Sequence, residues 1–307
     1  MQSSETGVAM YLPPLRVPVR TIGARTFDFS RRVAVMAVVN RTPDSFFDQG
    51  RTFALDAAVA ACFDAVAAGA DWVDIGGAPF APGAPVPPDE EGDRVVPVVA
   101  DLRAGSDVVI SVDTFHASVA SRAIAAGATV INDTTGLSDP ELARVVADSD
   151  ATLVLTHSLA APRTFYPRPA YGDIAREIAD FLLERVDRAV AAGVPEERII
   201  LDPGHDLNKN TLQSLELTRR LSEIADLGYP VLAAVSNKDF IGETLDAPRA
   251  DRRDGSIAAA VVAIVNGARI IRMHDVAGSV AAARMTEAIL GLREPAYLKH
   301  NMGDVNE

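Results

Sequence analysis

The sequence predicts a single closed (β/α)8 barrel of the TIM type, and three observations carry that reading. First, one punctuation mark recurs: AAGADWVDI, AAGATVIND, AAGVPEERIILD and NGARIIRMHD each pair an apolar or Ala-rich segment with a glycine and a short apolar run. Gly69, Gly127, Gly193 and Gly267 hold that position, and Gly228 in DLGYPVLAAVS is a fifth. A glycine just past a helix is the usual left-handed cap, and the run after it is the next strand. Second, the apolar runs number eight, and helices alternating with buried strands imply parallel strands joined by helical crossovers. Third, 307 residues suit one such barrel, and no linker divides the chain. The alternative is an open doubly wound sheet.

The predicted strands are Val33–Val39, Trp72–Ile75, Val108–Val112, Thr129–Ile131, Thr152–Thr156, Ile199–Leu201, Val231–Val235 and Arg269–Met273. The first sets the pattern. Seven apolar residues in a row fit a strand buried on both faces. Asn40, Arg41, Thr42, Pro43, Asp44 and Ser45 then break it, and Pro43 forbids a continuing central strand. Polar side chains are thus concentrated just past the carboxyl end of a strand, where parallel α/β folds bind ligands. The proline-rich segments Pro79–Pro88 and Ala160–Ala170 follow strands two and five and read as long loops on that face. Residues 1–30 form an extension whose role is not legible, 31–295 the barrel, and 296–307 a tail.

Composition sets the limits. Hydrophobic residues are 48% of the chain, enough for a large core. Cys62 is the only cysteine, which excludes an internal disulfide and a cysteine-based zinc site; flanked by Ala61 and Phe63, it reads as core. A cytoplasmic protein is expected. The net charge of −13, from 42 acidic and 29 basic residues, repels nucleic acid and anionic lipid. No signal peptide is evident, and Ile257–Val265, the most apolar later stretch, is too short to span a bilayer.

In chain order the strand ends offer Asn40 with Arg41, Asp74, Asp113, Asn132 with Asp133, His157, Asp202, Ser236 with Asn237 and Lys238, and Arg272 with His274. Each has a bland explanation alone. Asp133 reads as a cap for the next helix, Asp74 as a turn holder, and His157 as a satisfied buried histidine. Together they converge on one mouth. Asp113, Asn132 and Asp202 suit a flat heterocycle with several N–H donors, and Lys238 a ring carbonyl. Arg272, His274 and Asn40 suit phosphate oxygens, and a magnesium ion held mainly by phosphates would take Asn40 as one ligand. No hydrolase triad or zinc cluster is evident, and DPGHDLNKN lacks P-loop spacing.

From Val33 to Val276 these residues resemble the dihydropteroate synthase family. NRTPDSFFDQG resembles its first loop; DWVDIGG, ISVDT and TVINDTTG resemble the next three strand ends; ILDPG, GYPVLAAVSNKDFIGETL and RIIRMHDV resemble the last three. The resemblance implies magnesium-assisted transfer of a pterin from its CH2–pyrophosphate to the amine of para-aminobenzoate. It implies Asp113, Asn132, Asp202 and Lys238 on the pterin and Asn40, Arg272 and His274 on the pyrophosphate, with Asn40 on the metal. Asp48, with Pro43 and Asp44, belongs to a closing first loop, which makes Asp48, Asp113 and Lys238 the catalytic candidates. It also implies pairing through late helices, and Ile257–Val265, apolar nearly all round, fits a homodimer interface. Alternatively the N-terminal extension covers that helix.

The departures fall on the second substrate. Where the family's second loop reads GG-E-S-T-R-PG, Ala78, Pro79, Phe80 and Ala81 stand here. Where the seventh reads SRKS, the last position is Asp239, and Leu207 replaces an aromatic of the sixth. An anionic arylamine loses a cation and meets a like charge unless Arg41, Arg163 or Arg168 compensates. The readings are a working synthase, a paralogue that binds the pterin pyrophosphate but uses another acceptor or none, a pterin-binding protein without catalysis, and an unrelated phosphate-binding barrel.

Overall fold

The computed structural model describes residues 11–41, 54–166 and 168–301. Two strands precede the barrel, β1 (Val19–Ile22) and β2 (Arg25–Asp28). The barrel strands are β3 (Ala34–Asn40), β4 (Trp72–Gly76), β5 (Val109–Asp113), β6 (Val130–Asp133), β7 (Thr152–Thr156), β8 (Ile199–Asp202), β9 (Val231–Ala233) and β10 (Ala268–Met273). They close in the order β10-β3-β4-β5-β6-β7-β8-β9. All paired barrel strands are parallel, and their closure into one ring excludes the open sheet. The eight predicted runs fall on these strands; β9 alone is cut short, at Ala233.

The outer ring consists of α1 (Leu55–Ala67), α2 (Pro88–Gly105), α3 (Ala117–Ala125), α4 (Leu142–Ala147), α5 (Ile174–Ala191), α6 (Thr211–Arg219), α7 (Leu221–Ala225), α8 (Asp239–Leu245), α9 (Arg253–Val265) and α10 (Val276–Ile289). The five punctuating glycines all adopt positive φ, from 87° at Gly228 to 111° at Gly127, as left-handed caps require. Side-chain caps start other helices: Asn210 and Gln213 form a capping box on α6, and Asp275 accepts from Gly278 N on α10.

The period of two within each strand sorts the side chains into two cores. Val73, Ile75, Ile110, Val112, Leu201 and Ile271 face the helices, where Cys62 is also buried. Met36, Trp72, Val109, Val130, Ile200 and Ile270 face inward and fill the lower barrel. The same alternation carried upward puts Asp74, Ser111, Asp113, Asn132, Asp202 and Arg272 on the inward phase.

The N-terminal extension closes the floor. The hairpin β1–β2 carries Ile22, Phe27 and Phe29 into the inner core. Phe27 meets Trp72 edge-on, with centroids 5.8 Å apart, and stacks on Phe29 at 5.7 Å. Arg20, itself buried, donates to Ile199 O at 2.6 Å and ties the hairpin to the start of β8. The described part of the extension, residues 11–30, packs here, and Val262 and Val265 on α9 are exposed.

Candidate active site

Strand register builds one wall of the mouth. Asn40, Gly76, Asp113 and Asn132 are successive partners across β3, β4, β5 and β6, so they stand at one height. Gly76 has no side chain there for a steric reason: a Cβ would sit 3.0 Å from Asn40 Oδ1 and 3.8 Å from the Asp113 Cβ. One layer below, Asp74 is fully buried and accepts from Ser111 Oγ at 2.6 Å, Asn132 Nδ2 at 3.3 Å and Arg272 Nε at 2.6 Å. Asp74 is thus the anchor of Asn132 and Arg272, not the turn holder that its DIGG context suggests. Arg272 Nη2 lies 3.4 Å from Asp113 Oδ2, so the residues expected on ring and phosphate share an ion pair. Burial and the Asp74 charge push the Asp113 carboxyl well above its usual range, and Arg272 only partly offsets this.

The opposite wall rests on β7, β8 and the loop after β8. Asp202 accepts from Gly204 N at 2.7 Å, and its burial raises the carboxyl to about 6 despite nearby Lys238 and Lys209. Gly204 is obligatory: φ is 70°, and a Cβ would run into the His157 carbonyl oxygen. Lys209 is buried behind this turn. Its ammonium donates to Gly204 O at 2.8 Å and Leu207 O at 3.0 Å and lies 2.9 Å from His157 Nδ1. Burial lowers the amine to about 7 and holds His157 neutral, at about 2. His157 is therefore the satisfied core histidine expected. Lys238 is depressed by burial too, with Asp206 and Asp202 opposing the shift.

A cavity of about 510 Å3 opens between these walls. Asn40, Asp113, Lys238, Arg272 and His274 line it, whereas Asn132 and Asp202 are buried at the strand ends and do not line it. His274 is oriented by Ser236, whose Oγ lies 3.0 Å from Nδ1 and accepts from His274 N at 3.2 Å. Asp48 lies outside the described residues. Asp133 is at the strand end but does not cap a helix: it takes Thr135 N, Thr135 Oγ1 and Leu137 N and fixes the turn after β6. Burial raises its carboxyl.

Several lining residues had no place among the strand-end candidates. Lys209 is one, although only three lysines occur in the chain and two of them face this cavity. Asn208 is another. Its Oδ1 accepts from Ser158 Oγ, Leu159 N and Ala160 N at 2.8 to 3.0 Å and clasps the fifth loop to the sixth. Asp206 reaches the seventh loop, where Oδ2 accepts from Asp239 N at 2.5 Å. Asp206 and Asn208 both adopt positive φ, a conformation Asp and Asn tolerate better than most residues.

The side of the cavity formed by the second and fifth loops differs from the walls formed by the strand ends. Ala78, Pro79, Phe80, Ala81 and Pro82 line it from the second loop, facing Phe165 and Tyr166 of the fifth. Arg163 crosses to the second loop, but it donates to Ala81 O at 2.5 Å and Ala84 O at 2.9 Å. Arg41 is similarly committed, to the Asp93 and Arg94 carbonyls. Asp239 lines the cavity and is paired with Arg252 at 2.8 Å.

A parallel barrel with acidic and amide side chains gathered at one mouth and Arg and His beside them defines a class, and the relatives of the chain agree. The family described as "Pterin binding enzyme" matches residues 36–274, and the chain belongs to it. It is 46% identical over 270 residues to "Inactive dihydropteroate synthase 2" of Mycobacterium tuberculosis, covering 86% of this chain and 85% of that protein. It is 40% identical over 264 residues to the dihydropteroate synthase of Bacillus subtilis, covering 85% and 90% respectively. The Yersinia pestis dihydropteroate synthase in a sulfonamide drug complex superposes with a TM-score of 0.85 at 38% identity, covering 90% of this chain and all of that one.

Proposed function

We propose that this dihydropteroate-synthase-like protein binds a pterin bearing CH2–pyrophosphate and does not use para-aminobenzoate as an efficient acceptor. The observation that carries this reading is the contrast across one cavity: the pterin wall keeps its carboxylates and amide, whereas the acceptor wall has Ala81 and Asp239. Kinship with a relative named inactive and with relatives named synthases leaves both activities within the family.

On this reading Asp113, Asn132 and Asp202 accept the ring N–H groups and Lys238 donates to the ring carbonyl. As the bond to pyrophosphate lengthens, positive charge grows on the pterin and negative charge on the leaving group. Asp113 and Asp202 stabilise the first; Arg272 and His274, with Asn40, stabilise the second. Arg272 touches Asp113 and Asp74, so one guanidinium links the two developing charges. Asp48 would act from the first loop.

Among the described residues no group of three or more His, Cys, Asp or Glu side chains is arranged to hold a metal. The Asn40 side chain at the cavity wall offers one amide oxygen, and Mg2+ is held chiefly by phosphate and water oxygens with few protein ligands, so this residue suits an ion arriving on the pyrophosphate. Asn40 would be the protein's oxygen, and the ion would neutralise leaving-group charge. No helix among the described residues is long and apolar enough to cross a membrane. We place the protein in the cytoplasm on its lone buried Cys62. A homodimer is supported by exposed apolar side chains on the late helices, Val262 and Val265 on α9 and Met285 and Ile289 on α10.

The second reading, a working synthase, is favoured by one observation: the Arg163 guanidinium lies on the second loop. A steady-state assay of pterin pyrophosphate with para-aminobenzoate separates the two. Wild type should turn over poorly, and Ala81→Arg/Asp239→Ser should gain; wild-type turnover at an ordinary synthase rate refutes the proposal.

A further inference from the structure

The acceptor wall does more than lack a cation: the chain's own oxygens already occupy the donors that would recognise a carboxylate. Arg163 Nη1 and Nε are spent on the Ala81 and Ala84 carbonyls. Arg252 Nη1 is shared among the carbonyls of Asn237 and Lys238, at 3.1 and 3.2 Å, and Asp239 Oδ1 at 2.8 Å. The first amides of α8, Asp239 N and Phe240 N, donate to Asp206 Oδ2 at 2.5 and 3.4 Å. An incoming carboxylate would have to displace backbone carbonyls at Arg163, carbonyls and the Asp239 carboxylate at Arg252, and the Asp206 carboxylate at the α8 amides.

The cations deeper in the cavity are committed as well. Lys209 is held by His157 and two carbonyls, and Lys238 is buried near Asp206 and Asp202. Arg249 also lines the cavity. Against them stand Asp206 and an Asp239 side chain that is 73% exposed, together with the rings of Phe80, Phe165 and Tyr166, which can stack on a flat ligand.

We propose that this subsite binds a flat aromatic ligand carrying no negative charge, taken beside a pterin held as described above. The proposal rests on the pterin reading for its second ligand only; the charge preference belongs to the subsite itself.

Three probes share a ring and an amine and differ in charge: para-aminobenzoate, para-aminobenzamide and para-aminobenzamidine. Each is titrated calorimetrically into the full chain, with and without saturating 6-hydroxymethylpterin, which has no leaving group. The amide should bind at least ~10-fold more tightly than the benzoate, and the amidine at least as tightly as the amide; a factor of ten corresponds to about 1.4 kcal/mol. Rising salt should narrow the gap, because an exposed like-charge contact is screened. Asp239→Ser should narrow it at low salt, and Ala81→Arg/Asp239→Ser should make the benzoate the tightest of the three. Asp239 is exposed, and circular dichroism checks that the variants fold. Benzoate binding as tightly as the amide, a gap unchanged in both variants, or no binding of any probe overturns the proposal. Failure of 6-hydroxymethylpterin to bind, with the charge series intact, overturns the pterin reading instead.

Discussion

Replacing Asp202 by Ala is the strongest single perturbation of the pterin wall. The residue is 4% exposed, and Oδ1 is already engaged by Gly204 N at 2.7 Å, which leaves the second oxygen for a ligand. A charge-assisted hydrogen bond from a buried ring N–H is worth roughly 1.5–3 kcal/mol, so removing the free oxygen that accepts it should cost about 2–3 kcal/mol or more. Affinity should fall ~30-fold to more than 100-fold. The same change orphans Gly204 N and removes a carboxylate near Lys238 and Lys209, so a loss of about 1–2 kcal/mol in stability should accompany it. Asp202→Asn separates the effects: it keeps an acceptor for Gly204 and loses only the charge. Calorimetric titration with 6-hydroxymethylpterin, beside thermal melts, reads both quantities. Wild-type affinity in a folded Asp202→Ala protein would refute the assignment.

Four further outcomes follow from the same geometry. Asp202 is raised to about 6 and Asp113 is also raised, so both lose charge as pH falls; affinity for 6-hydroxymethylpterin should rise as pH climbs from 5 to 7.5, and a flat calorimetric profile contradicts this. Stability of the ligand-free protein should run the other way, because a carboxyl with a folded pKa above its unfolded value stabilises the fold at low pH and loses that contribution as pH rises from about 4 through 6; urea titrations at those pH values check the sign. Lys209→Met leaves the Gly204 and Leu207 carbonyls without their donor and should cost about 2–4 kcal/mol in urea unfolding, whereas a cost under about 0.5 kcal/mol would contradict the clamp. Val262→Glu paired with Ile289→Glu should convert a dimer to a folded monomer by light scattering, and an unchanged mass would place any interface elsewhere.

The barrel was legible because two periods coincide in the sequence. Glycine after each helix marks where a strand begins, and alternation within the strand decides which residues point inward. Asp113, Asn132, Asp202 and Arg272 could be placed at one mouth from strand ends alone, and register puts Asn40 at the height of Asp113 and Asn132. The loop chemistry was not legible for a physical reason. Asn208 reaches loop residues 48 to 50 positions away, and Asp206 reaches amides 33 and 34 positions on, through positive-φ backbone that no periodicity announces. Asp74 misled because a carboxylate before Ile-Gly-Gly resembles a turn signal, yet its strand phase, two residues past inward-facing Trp72, points it into the barrel. The hairpin of the extension was missed because its strands have four residues each, too few for alternation to register.

The central claim, a retained pterin end beside an altered acceptor end, is tested most directly by one calorimetric experiment. Pterin pyrophosphate is titrated into the wild-type protein with magnesium, and para-aminobenzoate is then added to the saturated complex. The account predicts one-to-one binding in the first step, then neither binding heat nor product on adding the acid at concentrations that saturate an ordinary synthase, and the same silence with a sulfonamide that mimics it. Release of dihydropteroate at a synthase-like rate, or sulfonamide binding of ordinary affinity, would contradict it.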